Sequence, residues 1–232
     1  GLNLSAVDVQ RAKEAGICEG CSVGKMHRHV ADTLPSSQPR KLLKAGEMLH
    51  SDLMGPFPRD SNGAKYVATF IDEASRRSFI VLLRKKKDVA VAAKNIVSLF
   101  FTQTKRRLKY WQSDRGGEYL SSVLRDFFDQ EGIIHRLSTT ESPEQNGVAE
   151  RFNRTLEESS LSTMSATGVS HYYWGECVKA ANYVYNMMPH SARRVVPWKS
   201  FHGVKPDISI LRAWGCRASR MAAKLSRMAP TG

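Results

Sequence analysis

Long apolar runs are what this 232-residue sequence most clearly lacks. No stretch approaches the roughly eighteen consecutive apolar residues of a membrane-spanning helix, so no membrane partner is expected. No secretory signal opens the chain, and Gly1 in place of Met reads as a fragment or a processed product. Cysteine is scarce. Of the four, Cys177 sits in a helical pattern and Cys216 lies beside Trp214. Both read as small buried hydrophobes, and no disulfide is expected. Acid is almost missing from the end of the chain. Residues 190–232 hold nine Lys/Arg and one Asp/Glu, against nineteen and sixteen in residues 51–189 and seven and five in residues 1–50. The formal charge of +13 is therefore concentrated in the last stretch. Such an imbalance suggests a polyanionic partner held by salt-sensitive, sequence-independent contacts. Two further basic runs, Arg84-Lys85-Lys86-Lys87 and Lys105-Arg106-Arg107, read as solvated faces that also mimic nuclear-import signals. With 41% hydrophobic residues, the chain can hold one substantial core plus smaller appendages.

What is present is a set of three acids. Asp52 stands in His50-Ser51-Asp52-Leu53-Met54-Gly55-Pro56, and Asp114 in Trp111-Gln112-Ser113-Asp114-Arg115-Gly116-Gly117-Glu118. Glu150 stands in Gln145-Asn146-Gly147-Val148-Ala149-Glu150-Arg151, with thirty-five residues between it and Asp114. The aspartates each end a β-prone run, and Glu150 opens a predicted helix. Two strand ends and one helix can bring three carboxylates together. Hard divalent cations take oxygen ligands and complete their shells with water and phosphate oxygens. Two such ions can clamp the attacking and leaving oxygens of a phosphoryl displacement. The three acids therefore read as metal-dependent phosphodiester chemistry. Asp72 also follows an apolar run, and local pattern by itself does not choose between it and Asp52.

The remaining pattern supplies a frame. Leu49 to Leu53, Tyr66 to Asp72, Ser78 to Leu83, Lys109 to Gln112 and Ile133 to Leu137 read as strands. Asp88 to Gln103 has helical apolar spacing. A second helix is capped by Ser121 or Ser122 and ended by Gly132. A third runs from about Val148 to Met164, with Phe152 and Leu156 inward and Glu150, Asn153, Arg154 and Glu157 on another face. Ser142-Pro143-Glu144-Gln145 resembles a capping box, but Asn146-Gly147 argues for a turn, so a loop to Gly147 is expected. Residues 170–188 carry a core stripe of Trp174, Val178, Ala181, Val184, Tyr185 and Met188. From Pro189 onward the chain reads as irregular and basic. The order βββαβαβα suits a mixed sheet covered by helices.

From Leu49 to Cys216 the sequence resembles the integrase core of copia-type (Pseudoviridae) LTR retrotransposons. The resemblance rests on His50-Ser51-Asp52 with Gly55-Pro56, Phe70-Ile71-Asp72, Ser113-Asp114-Arg115-Gly116-Gly117-Glu118 and Pro143-Glu144-Gln145-Asn146-Gly147-Val148-Ala149-Glu150-Arg151. Asn153-Arg154-Thr155-Leu156, Lys205-Pro206-Asp207 and Trp214-Gly215-Cys216 extend it to about three quarters of the chain. It implies an α/β, RNase H-like fold with a mixed five-stranded sheet flanked by helices. It also implies DNA 3′-processing and strand transfer, with Asp52, Asp114 and Glu150 holding two Mg²⁺ or Mn²⁺ ions. Element ends and target DNA would be the substrates, a homo-multimer on DNA the working form, and the nucleus its place, after passage through cytoplasmic element particles.

On this resemblance, residues 49–188 form the catalytic core and 189–232 a basic extension. Residues 1–30 form a partial His-His-Cys-Cys zinc module, and 31–48 a linker. Cys18 and Cys21, followed by Gly24 and Lys25, match the end of that module, but no histidine precedes them. His27 and His29 stand either as substitute ligands or as exposed polar residues, so the zinc site is incomplete. Gln145, Asn146, Arg151 and Arg154 are the DNA-contact candidates, Arg154 having a surface ion pair as its plainer role. Gly116 and Gly117 would let the backbone pass close to the site. Glu118 reads as a surface or structural acid. The segment Thr139 to Glu144 carries two acids and no aromatic, a departure from the family pattern. Two other readings compete. One is an RNase H-like nuclease that cuts without joining; the other is a decayed or domesticated DNA-binding module.

Overall fold

The computed structural model describes Gly16 and residues 43–138, 147–190 and 195–216. The elements in chain order are β1 (Met48–Met54), β2 (Tyr66–Asp72), β3 (Ser78–Leu83), α1 (Val89–Thr104), β4 (Tyr110–Ser113), α2 (Ser122–Glu131), β5 (Ile134–Leu137), α3 (Gly147–Thr167), α4 (Trp174–Met187) and α5 (Pro197–His202). The five strands form one sheet in the order β3-β2-β1-β4-β5. β1 pairs antiparallel with β2, and β2 with β3; β4 runs parallel to β1 and β5 parallel to β4.

Strand alternation divides the sheet into two dressed faces. Leu49, Ala68, Phe70 and Trp111 point to one side, where Ala93, Ile96 and Phe100 of α1 and Leu124 and Phe128 of α2 cover them. Trp111 is completely buried and meets Phe70 edge-on at 5.7 Å and Phe128 at 5.1 Å. Val67 and Ile71 point to the other side, under Val148, Phe152 and Leu156 of α3 and Val178 of α4. The buried residues Val148, Phe152, Leu156, Ser160 and Met164 recur every four positions, which lays one stripe of α3 along the sheet. Each of the large apolar side chains so buried contributes about 1.5–3 kcal/mol.

Several expectations shift in detail. α3 continues three residues past Met164 to Thr167. Gly132 ends α2 at φ 66°, but Ser121 does not cap that helix through its side chain. Its hydroxyl donates instead to the carbonyl of Glu118. Val184 is 43% exposed, so the stripe on α4 is narrower than its spacing implied. Cys216 is exposed, whereas Cys177 is buried and its thiol is pushed up to about 11 by burial. α5 falls inside the stretch read as irregular. Its Phe201 packs against Phe79 at 6.2 Å and Phe100 at 5.3 Å, which ties that part of the basic stretch to the core. The residues of the zinc module, the capping-box segment and the last sixteen positions lie outside the described residues.

Candidate functional site

β1 and β4 are neighbours, with Met48 opposite Tyr110, Leu49 opposite Trp111 and His50 opposite Gln112. Continuing that parallel register by two residues sets Asp52 across from Asp114. Period-two alternation then places both side chains on the sheet face that carries α3. Glu150 lies in the first turn of α3 and is exposed. Asp52, Glu150, Asn153, Arg154 and Glu157 line one open groove of about 550 Å³, together with Met54, Gly55, Pro56 and Phe57.

The electrostatics of the groove centre on Asp52. Its carboxyl is pushed up to about 6, first by burial and then by the negative charges of Asp114 and Glu150. Two donors work against that rise. The Leu53 amide donates to Oδ1 at 2.8 Å, and the Asn153 side-chain amide to Oδ2 at 2.8 Å. Asn153 is thereby the strut between α3 and the β1 carboxylate. Its own Oδ1 is buried without a partner. Sequence pattern put Asn153 on the face of Glu150, three residues on, but gave it no role; the spacing was the available signal.

Asp114 follows β4 directly and accepts the Gly116 amide at 3.0 Å. A Cβ on Gly116 would stand 2.9 Å from the Glu118 carboxyl and 3.1 Å from Asp114 Oδ1. A side chain at Gly116 would make the two carboxyl groups shift, whereas Gly117 has open space around it. Glu118 is half-buried, and its carboxyl and that of Asp114 both lie beside Gly116. Beneath the site, on the other sheet face, the Tyr119 and Ser51 hydroxyls meet at 2.8 Å. Burial holds the Tyr119 phenol well above its ordinary range, and the charges of Asp52, Asp114 and Glu118 add to that.

The donor set suits a hard divalent cation: three carboxylates and a spare amide oxygen, with no sulfur or imidazole. Asp52 is a carboxylate whose charge is disfavoured by its surroundings, so a bound cation would relieve it. Among the described residues no three acid, His or Cys side chains close to ligand distance. Of the DNA-contact candidates, Arg154 lines the groove. Arg151 is exposed and folds its guanidinium back toward Gly147 instead. Gln145, Asn146, Cys18 and Cys21 lie outside the described residues.

The family profile described as Integrase core domain matches residues 43–143. The retrovirus-related Pol polyprotein from transposon TNT 1-94 of Nicotiana tabacum is 35% identical over 203 residues, covering 87% of this chain and 15% of that protein. The corresponding polyprotein of transposon RE2 of Arabidopsis thaliana is 30% identical over 86% of this chain and 13% of its own length. A Ty1 Gag-Pol polyprotein of Saccharomyces cerevisiae is 28% identical over 91% of this chain and 12% of its own length. The chain therefore spans only about an eighth to a seventh of these relatives. Among solved structures, the HTLV-2 integrase catalytic core domain in complex with magnesium superposes with a TM-score of 0.54 at 12% identity, covering 70% of this chain and all of that one. A simian T-cell lymphotropic virus intasome, in complex with a PP2A regulatory subunit, gives 0.59 at 14% identity, covering 93% and 74%. These likenesses show the fold, the RNase H-like one with its mixed five-stranded sheet flanked by helices. The profile match, the motif order and the transposon relatives make this chain a member of the integrase core domain family, of the copia-type retrotransposon kind.

Proposed function

We propose that this chain is the catalytic core of a retroelement integrase that processes element DNA ends and joins them to target DNA. The observation that supports this reading is the parallel register of β1 and β4, which sets Asp52 across from Asp114, together with the groove that Asp52 shares with Glu150. In the first step water attacks a phosphodiester near the 3′ end; in the second the freed 3′-hydroxyl attacks a target phosphodiester. Each step forms one P–O bond and breaks one, with the nucleophile losing a proton and the leaving oxygen gaining one. Two Mg²⁺ or Mn²⁺ ions, when bound, would supply nucleophile activation and leaving-group stabilisation. Asp52, Asp114 and Glu150 would hold them.

The protein's own contribution is positioning. Asn153 fixes the Asp52 carboxylate from α3, so the strand and helix ligands move as one unit. The Gly116 amide donates to the Asp114 carboxyl and holds it against the loop after β4. Arg154, exposed in the same groove as Glu150, is placed to meet a phosphate. The basic C-terminal stretch adds salt-sensitive affinity for DNA. A multimer assembled on DNA in the nucleus follows from the same reading.

A joining assay with a blunt donor duplex, a target duplex and Mn²⁺ or Mg²⁺ tests the proposal. Joined product supports it. Cutting without joining would favour the nuclease reading. DNA binding with neither reaction would favour a domesticated binding module.

A further inference from the structure

The strand register sorts the two basic runs to opposite ends of the sheet. Asp52 and Met54 lie at the same end as Val67 and Leu82, through the pairs Met54 with Val67 and Val67 with Leu82. Arg84-Lys85-Lys86-Lys87 leaves β3 just beyond Leu83, so it emerges at the carboxylate end. Lys105-Arg106-Arg107 precedes β4, whose first residue pairs with Met48, so it sits at the far end. Arg106 confirms this by donating to the Ala45 carbonyl there at 3.1 Å. The two runs look alike in sequence, and only one shares an edge with the site.

We propose that Arg84-Lys85-Lys86-Lys87 is a DNA-backbone contact that extends the catalytic groove sideways along the carboxylate edge. It rests on the integrase reading and names a surface for its substrate. β3 lies two strands from β1, about 10 Å away at ordinary strand spacing. That is about three phosphate steps along one DNA strand. All four side chains are exposed. None forms an ion pair among the described residues, unlike Lys109 with Glu47 or Lys179 with Glu176. The nearest acid in sequence, Asp88, is engaged by the Lys85 amide. Arg84 is held in place, its Nε and Nη2 both donating to the Asn62 carbonyl at 3.2 and 2.9 Å. Lys86 rests its ammonium 5.9 Å from the centre of the Tyr66 ring. Cations with no acid partner, on a rim beside clustered carboxylates, offset the repulsion those carboxylates exert on a polyanion.

The far run supplies a matched control. Lys85→Ser, Lys86→Ser and Lys87→Ser combined are compared with Lys105→Ser, Arg106→Ser and Arg107→Ser combined. Both remove the same charge from exposed positions, and thermal melts confirm that each variant folds. Binding of a fluorescent duplex is measured by anisotropy between about 50 and 200 mM salt. The carboxylate-edge triple is expected to lower the slope of log affinity against log salt by about two to three, since each phosphate contact adds about 0.9. The far-edge triple is expected to change it by less than one. Equal losses in both variants, or no loss in the first, overturn the proposal. If the unchanged chain joins DNA and the first triple keeps its full slope, only this surface is refuted. If the unchanged chain shows no DNA affinity at all, the integrase reading falls and this inference with it.

Discussion

Asp52 and Asp72 share a local signature and lie at opposite ends of one hairpin pair, yet the fold treats them differently. Asp72 is fully buried and saturated with donors. The Gly46 amide meets Oδ1 at 2.7 Å, and the Ser75 amide and hydroxyl meet Oδ2 at 2.8 and 2.6 Å. It closes the turn between β2 and β3 and staples the chain before β1 onto it. Asp52 has two donors, lines an open groove with Glu150, and feels the negative charges of Asp114 and Glu150. Burial raises both carboxyls. At Asp72 hydrogen bonds from Ser75 and Gly46 oppose burial and Glu73 adds a lesser push with it; at Asp52 the Leu53 amide opposes burial, and both Asp114 and Glu150 push with it. One end of the sheet thus uses an acid to hold structure, and the other accumulates negative charge that only a cation or a proton relieves.

The sharpest way to break this comparison is at the open end. Glu150→Gln keeps size and removes an anionic oxygen. Strand transfer should fall by several powers of ten while folding and DNA binding persist. Glu118→Gln is the control and should keep most activity, although its carboxyl lies beside Asp114. A live Glu150→Gln with a dead Glu118→Gln would show that the third acid is Glu118.

At the closed end the effect should appear in stability. Asp72→Ala leaves buried amides at Gly46 and Ser75 without acceptors, and should cost about 2–4 kcal/mol in urea unfolding. Asp52→Asn should cost little or stabilise the metal-free protein, because it removes a carboxylate disfavoured by burial and repulsion. If the two variants destabilise equally, the division between structural and site acid is wrong.

The pH dependence sharpens the same contrast. Folded Asp52 keeps its proton until about 6, whereas the unfolded chain releases it near 3.8. Between those values the folded state binds more protons, so stability falls as pH rises through the window. Asp52→Asn should remove a drop on the order of 2–3 kcal/mol between pH 4 and 6, read from melts without divalent ions. An unchanged pH profile would mean that Asp52 titrates normally.

The smallest expected effect is on cation binding. Above pH 6, Mg²⁺ or Mn²⁺ at ten- to hundredfold excess over its dissociation constant should stabilise the chain by about 1–3 kcal/mol. The gain should shrink below pH 5 and vanish in Asp52→Asn, but survive in variants of the far-end turn around Ser75. Equal stabilisation of Asp52→Asn would place the cation elsewhere.

Much of the frame was legible along the chain. β2 and β3 occupy the predicted residues, and the other strands and long helices shift by one to four positions, because their apolar periods and boundary residues such as Gly132 are local signals. Other features were not. Val184 follows the helical period of α4 and is nonetheless exposed, since period reports a face but not whether anything packs on it. Cys216, expected buried, has no cover, and the stretch read as irregular holds α5, whose Phe201 finds Phe79 and Phe100 from distant segments. Asn153 joined the site only when α3 was laid across β1, a contact spanning 101 positions of sequence.

The sequence by itself determined the elements, the two basic runs and the three motifs with their order, since each depends on residues a few positions apart. The tertiary structure decided which acid is structural and which faces the groove, and which basic run shares an edge with the carboxylates. Those outcomes depend on strand register and sheet order, set by burial of Leu49, Phe70 and Trp111 on one face and Val67 and Ile71 on the other. Identical local patterns reach opposite ends of a sheet because alternation fixes a side chain's face, while only pairing between distant strands fixes its neighbours.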